Sequence, residues 1–143
     1  MFCELVLAVA ILVSPDISPA AAPAFQVIVN RDNPVTAISR AELSAVFMKR
    51  NTRWRHGPEV VPVDLHATSR VRESFSASVH ETSVAFVIRY WQRLLFSGRG
   101  VPPPVVRRDE EVTEFVAKRR GAIGYVSGNA ALPPEVKAIA VTK

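Results

Sequence analysis

The residues best suited to bind a ligand lie in one short segment, residues 64–72 (DLHATSRVR). A loop that carries hydroxyl groups leads here into a predicted helix. The first N–H groups of a helix have no partner within it, so such a turn can accept an anion. Thr68 and Ser69 could add hydroxyl donors, and Arg70 or Arg72 could add a charge-assisted contact. These four residues are the predicted ligand-binding site for phosphate or a similar oxyanion.

A simpler interpretation of this segment stays open. Serine is one of the commonest residues at a helix N-terminus, so Ser69 could do no more than cap its own helix. Arg70 and Arg72 would then both face solvent.

The sequence offers little for catalysis or metal binding. Its three histidines, His56, His66 and His80, fall in separate segments without metal-ligand spacing, and there is no nucleophile motif such as G-x-S-x-G. Residues 109–111 are acidic, but they complement the dipole at the start of a predicted helix. We therefore predict a protein that is not an enzyme, with surface histidines and with no catalytic residue, metal site or cofactor.

Four aromatic residues could form a stacking surface for bases or sugars. Phe75, Trp91 and Phe96 fall on or beside the apolar stripes of predicted helices, which favours core packing. Trp54 lies in a basic loop and stays open as a surface contact.

The elements that must position the anion turn alternate between strands and helices. Short β-branched or aromatic runs predict strands at residues 25–30, 60–63, 122–126 and 136–141. Apolar residues at helical spacing follow Ser39, then Thr68 or Ser69, then Thr82 or Ser83. A fourth helix is predicted over residues 109–120. This order predicts an α/β domain.

The N-terminus reads as a secretory signal peptide, residues 1–24, followed by one domain, residues 25–143. An apolar run at residues 5–13 is too short to span a membrane, and Ala22-Pro23-Ala24 supplies a cleavage site. The single cysteine, Cys3, precedes the apolar run, so the mature chain lacks thiols. We expect a periplasmic protein without a stable membrane anchor after cleavage.

The mature chain is basic. All 18 basic residues and only 11 of the 13 acidic residues follow Ala24, which gives a net charge of +7, and 14 of the basic residues are arginine. Such a surface attracts anions, nucleic acid or acidic membranes. Nucleic-acid binding would require the signal peptide to be misread, so no nucleic-acid partner is expected.

Several motifs, in order, resemble a known family. Residues 43–47 (LSAVF) with Trp54 and Gly57 resemble the L-x-x-I-F-x-G-x-x-x-x-W-x-D/N-G segment of phosphate-binding proteins of the PstS type. Residues 121–126 (GAIGYV) resemble their G-A-I-G-Y-V strand, and residues 90–98 fit short relatives that read Y-W-x-R-x-x-F-x-G. The resemblance spans nearly the whole mature chain.

The family implies a type 2 periplasmic-binding-protein fold, with phosphate held between two lobes by hydroxyls, helix N-termini, an Asp and an Arg. This chain is long enough for a single lobe, which predicts a small mixed sheet flanked by helices. The resemblance also implies a link to phosphate ABC transport, with an ABC permease or another envelope protein as partner.

The chain departs from the family at the anion site. Ser69 matches the Ser of a Ser-Gly-Thr turn, whereas Arg70 and Val71 replace the Gly and the Thr. Leu65 stands where the family has an Arg, and Lys49 where it has a Gly. These departures predict weak binding of phosphate or a small oxyanion. They also support an alternative function, a periplasmic protein-interaction or regulatory module that has lost solute binding.

Overall fold

The computed structural model describes residues 22–143. The predicted signal peptide, residues 1–24, lies outside the described residues except for its last three. In the described part of the chain, each helix is too short or too polar to cross a membrane.

The strands of residues 22–143 form a mixed five-stranded sheet and a two-stranded parallel sheet. They are β1 (Phe25–Asn30), β2 (Ala37–Ser39), β3 (Val61–Pro62), β4 (Asp64–Leu65), β5 (Val105–Val106), β6 (Ala122–Ser127) and β7 (Val136–Thr142). The large sheet has the order β2-β7-β1-β6-β3. In it β1 is antiparallel to both β6 and β7, whereas the outer strands β2 and β3 are parallel to their neighbours. The smaller sheet pairs β4 with β5.

This part of the chain forms four α-helices, of which the first, second and fourth contact strands of the large sheet. They are α1 (Arg40–Phe47), α2 (Arg70–Phe75), α3 (Val84–Phe96) and α4 (Asp109–Ala117). The side chains of Ser39, Ser69 and Ser83 cap the first three by accepting a hydrogen bond from the N–H three residues later. The predicted α/β class, with a small mixed sheet flanked by helices, is therefore confirmed. The helix expected after Ser69 continues past α2 as a π-helical segment, Ser76–His80.

The core lies around the two central strands, β1 and β6. Helix α4 packs so closely on β6 that Gly124 has no room for a side chain. A Cβ atom at this position would lie 2.6 Å from Cγ1 of Val112 and 2.9 Å from Cγ1 of Val63. Glycine is therefore needed at this position for the close approach of helix and strand. All buried residues of the main core fall between Val27 and Ile139, so we expect the chain from Phe25 onward to fold by itself.

An aromatic cluster fixes α2 on the sheet. The ring of Phe75 stacks on Tyr125 with centroids 3.8 Å apart and planes 3° apart. Phe25 and Phe47 meet Phe75 edge-on, at centroid distances of 5.3 and 4.9 Å. The cluster places the start of α2, and so the predicted anion turn, at a fixed position relative to β6.

Two of the aromatic residues lie in places that the sequence analysis did not predict. Trp54, which the sequence left open as a surface contact, is buried, and its Nε1–H donates to the carbonyl of Gly121 at 3.0 Å. Phe75 and Trp91 are buried as expected, but Phe96 is 90% exposed, and its predicted core packing is wrong. The C-terminal turn of α3 extends beyond the cluster formed by Val87, Trp91 and Met48.

Candidate anion-binding site

The predicted site lies on the turn between β4 and α2. Pairing with β5 holds β4 in place, and the N–H of His66 donates to the carbonyl of Val106 at 2.9 Å. The chain then turns tightly, because the N–H of Ser69 donates to the carbonyl of His66 at 2.9 Å. Thr68 is exposed and Ser69 is half-buried, so both hydroxyls are within reach of solvent at the start of the helix.

Both hydroxyls of the turn have protein partners. Oγ of Ser69 accepts a hydrogen bond from the N–H of Arg72 at 3.2 Å, which confirms the capping role. Oγ1 of Thr68 lies 2.8 Å from Nδ1 of His66. Because the cap uses Ser69 only as an acceptor, its hydroxyl hydrogen is free to point toward a ligand.

Two backbone donors complete the turn. The N–H groups of Arg70 and Val71 open α2 and have no acceptor within residues 22–143. The side chain of Arg70 is exposed and has no acidic partner in the same range. Thr68, Ser69 and Arg70 are thus brought together on one accessible surface.

Arg72 is placed differently. Its side chain is only 8% exposed, and its Nη2 lies 3.4 Å from Oδ2 of Asp64, which is itself 7% exposed. Its Nη1–H donates to the carbonyl of Leu65 at 2.8 Å. The interpretation that both arginines face solvent is therefore wrong for Arg72, which holds β4 to α2 beneath the turn.

Asp64 is the centre of a buried polar network that sequence reasoning missed. The hydroxyl of Tyr125 and the N–H of Leu65 both donate to its Oδ1. Burial raises the pKa of Asp64, an effect that the guanidinium of Arg72 opposes. Burial and the neighbouring carboxylate likewise raise the pKa of the Tyr125 hydroxyl, which keeps it a donor. An acidic residue within the apolar run at residues 60–65 was the available sign of this network.

The three histidines lie in different surroundings. His56 is exposed and stacks near Trp54, and His66 belongs to the anion turn. His80 is half-buried against Phe75, and its Nδ1 lies 2.8 Å from Oγ of Ser44, so its predicted surface position is wrong. No group of His, Cys, Asp and Glu within residues 22–143 has the arrangement of a metal site.

The environment of His80 predicts a loss of stability in acid. Burial, Arg72 and Arg50 lower the pKa of His80 to about 4, below its ordinary value of 6.5. The folded state disfavours protonation of His80, whereas the unfolded state allows it below pH 6.5. This contribution to stability is therefore fully present above pH 6.5 and is lost as the pH falls toward 4. We expect His80 to account for on the order of 2 kcal/mol of the stability lost between pH 7 and pH 4.5.

Urea unfolding at these two pH values, with His80→Gln beside the unchanged protein, measures this contribution. The variant should lose less stability than the unchanged protein on acidification. Equal losses in both proteins would contradict the assignment.

Comparisons with known proteins identify the fold. No protein-family model matches the sequence, and no curated protein matches it either. Among solved structures, an ABC-type phosphate transport receptor from Vibrio cholerae superposes with a TM-score of 0.65 and 22% identity, covering 82% of this chain and 46% of that one. A phosphate ABC transporter substrate-binding protein from Clostridium perfringens, solved with bound phosphate, has a TM-score of 0.65, 19% identity and coverages of 82% and 44%.

A third structure, PstS from Borrelia burgdorferi, has a TM-score of 0.57 and 14% identity, covering 82% of this chain and 47% of its own. The chain therefore has the fold of phosphate-transport binding proteins and spans less than half of their length. The expected fold, one lobe of the periplasmic-binding-protein type, is confirmed.

Proposed function

We propose that this protein is an exported, non-enzymatic binding domain whose ligand is phosphate or another small oxyanion, held at residues 68–72. The observation that carries the proposal is the exposed turn itself, where hydroxyls, open N–H groups and an arginine converge. The fold supports it, because one protein of the same fold was solved with bound phosphate. Periplasmic localisation and a link to phosphate ABC transport belong to the same proposal.

In this proposal the contacts come from neighbouring groups of the turn. The hydroxyl of Ser69 and the N–H groups of Arg70 and Val71 donate to the oxyanion, and Thr68 adds a second hydroxyl. Arg70 supplies the positive charge, because its side chain is exposed and has no acidic partner within the described residues. Negative charge at the start of a helix is also stabilised by the helix dipole.

Arg72 has a supporting role in the proposed site. Its guanidinium binds Asp64 and the carbonyl of Leu65, so it fixes the end of β4 against α2. Its N–H orients Ser69 through the cap. The pair of Arg72 and Asp64 beneath the turn carries no net charge. Arg70 is therefore the cation that balances the negative charge of a ligand.

The proposed site is open on one side, and this limits its affinity for the ligand. The ligand would keep part of its hydration shell, so fewer of its oxygen atoms gain protein donors. We therefore expect a dissociation constant on the order of 1 mM.

A thermal-shift titration of residues 25–143 with phosphate at fixed ionic strength tests the proposal. At a phosphate concentration about ten times the dissociation constant, binding adds about 1.4 kcal/mol to the free energy of unfolding. This raises the melting temperature by roughly 4 °C in a domain of this size. Ser69→Ala and Arg70→Gln should each reduce this rise. The matched control is Ser78→Ala, at an exposed serine without a hydrogen-bond partner in the described residues.

Ser69→Ala also removes a helix cap, which lowers the melting temperature with or without ligand. The diagnostic quantity is therefore the rise caused by phosphate within each protein. A rise of equal size in Ser69→Ala and Ser78→Ala, or no rise in the unchanged protein, would refute the proposed site.

A second function, an interaction or regulatory module of the cell envelope, is supported by the pairing of Arg72. That guanidinium is satisfied within the protein by Asp64 and needs no ligand. Pull-down from envelope extracts separates the two functions, because a domain that only binds a solute should recover no stable protein partner.

A further inference from the structure

The end of α3 and the loop after it expose apolar side chains that no other part of residues 22–143 covers. Leu95 (53%), Phe96 (90%) and Val101 (63%) are the most exposed of them, and Phe86 (47%) in the first turn of α3 and Val105 (48%) in β5 are also exposed. At 90% exposure the ring of Phe96 projects into solvent on nearly all sides. A group of exposed apolar side chains with polar residues around it is typical of a protein- or membrane-binding surface.

The exposed stripe of α3 combines this ring with positive charge. Val87 and Trp91 occupy the buried face of the helix. Arg89, Arg93 and Phe96 are spaced at i, i+4 and i+7, so they follow one another along another face of the helix. The helix therefore presents arginine and phenylalanine together to its surroundings.

No acidic residue interrupts this positive charge. Residues 84–108 contain five arginines and neither aspartate nor glutamate. Arg89, Arg93 and Arg99 form no salt bridge with any residue of the described chain. We name the group Arg93, Leu95, Phe96, Arg99 and Val101 the basic apolar tip.

We propose that the basic apolar tip is a membrane-binding surface that rests on anionic phospholipid. Its apolar side chains enter the boundary between headgroups and acyl chains, and its arginines contact lipid phosphates, as in interfacial amphipathic helices. A bilayer is fluid, so it accommodates a projecting side chain such as Phe96 without a preformed pocket. A protein partner would have to supply both an apolar pocket for this ring and acidic residues around it.

The contact is peripheral and reversible. A few apolar side chains and a few arginines give weak binding, and the electrostatic part falls as salt rises. Leu95 of the tip lines the same groove as His66 and Arg72, next to the anion turn, so membrane binding and oxyanion binding have to be separated by experiment.

Co-sedimentation of residues 25–143 with sucrose-loaded vesicles tests the proposal. One vesicle set contains phosphatidylglycerol mixed with phosphatidylcholine, and the other contains phosphatidylcholine alone. We expect binding to the anionic set only, with weaker binding at high salt. Phe96→Ser should lower the partition coefficient about tenfold, and Arg93→Gln about fivefold, the effect of one basic residue at an anionic surface.

Control variants make comparable changes elsewhere. Val141→Ser replaces another exposed apolar residue, and Arg31→Gln another exposed arginine, and both should bind vesicles as the unchanged protein does. Free phosphate at constant ionic strength should not displace the protein from anionic vesicles, which separates lipid binding from the oxyanion site. The proposal is overturned if anionic vesicles bind no protein or if Phe96→Ser binds them as well as the unchanged protein. It is also overturned if the tip variants lose binding to an acidic protein partner but not to vesicles.

Discussion

Replacement of Asp64 by alanine is expected to lower the free energy of unfolding by about 3–5 kcal/mol. The substitution leaves the guanidinium of Arg72 buried without its counter-charge, and removal of one partner of a buried pair is far more costly than replacement of both. It also removes the acceptor of the Tyr125 hydroxyl. Urea unfolding at pH 7, monitored by tryptophan fluorescence, gives the difference directly.

The double variant Asp64→Leu, Arg72→Met is the control for this effect. It removes both charges and leaves apolar side chains in their place, so we expect it to recover most of the stability that Asp64→Ala loses. If the double variant is as unstable as the single one, the loss comes from packing around β4 and not from the unpaired charge.

Replacement of Phe75 by alanine is expected to lower the free energy of unfolding by about 3–5 kcal/mol. Phe75 is 1% exposed and stacks on Tyr125, and Phe25 and Phe47 meet its ring edge-on. The substitution leaves a cavity between α2 and the sheet and removes these aromatic contacts. Chemical unfolding of the variant and of the unchanged protein measures the loss.

The chain supplies a matched phenylalanine for this experiment. Phe96→Ala makes the same chemical change at a side chain that is 90% exposed, and we expect a change within about 0.5 kcal/mol. Similar losses in Phe75→Ala and Phe96→Ala would show that the aromatic cluster is not the centre of the core.

The sequence predicted the elements that carry a strong local pattern. The caps at Ser39, Ser69 and Ser83 were predictable because a helix start is encoded within four residues. Strands β2, β4 and β5 have only two or three residues each, too few to show alternation, and none of the three was predicted. Their existence depends on partners far along the chain.

Burial was harder to predict than secondary structure. The apolar spacing of α3 was correct, but spacing does not reveal whether another element covers the end of the helix, so Phe96 was expected in the core and is exposed. For Trp54 the sequence left a surface contact open because its neighbours are basic, whereas its indole N–H donates to the carbonyl of Gly121, 67 residues away.

The candidate site was predictable only in its local part. The turn of Thr68, Ser69 and Arg70 lies in consecutive residues, so its hydroxyls and open N–H groups could be inferred from sequence. The burial of Arg72 could not, because its partner Asp64 belongs to a different element and is oriented by Tyr125, 61 residues away. A pairing of that kind arises from the tertiary fold.

A titration of ¹⁵N-labelled residues 25–143 with phosphate, monitored by two-dimensional ¹H–¹⁵N NMR at constant pH and ionic strength, tests oxyanion binding at residues 68–72 most directly. The account predicts saturable shifts of the amide signals of Ser69, Arg70 and Val71, with a midpoint on the order of 1 mM. Signals of strand β7, which supplies none of the proposed contacts, should stay unchanged. If the amides of residues 68–72 do not respond, or if all exposed amides shift together without saturation, the protein has no oxyanion site at this turn.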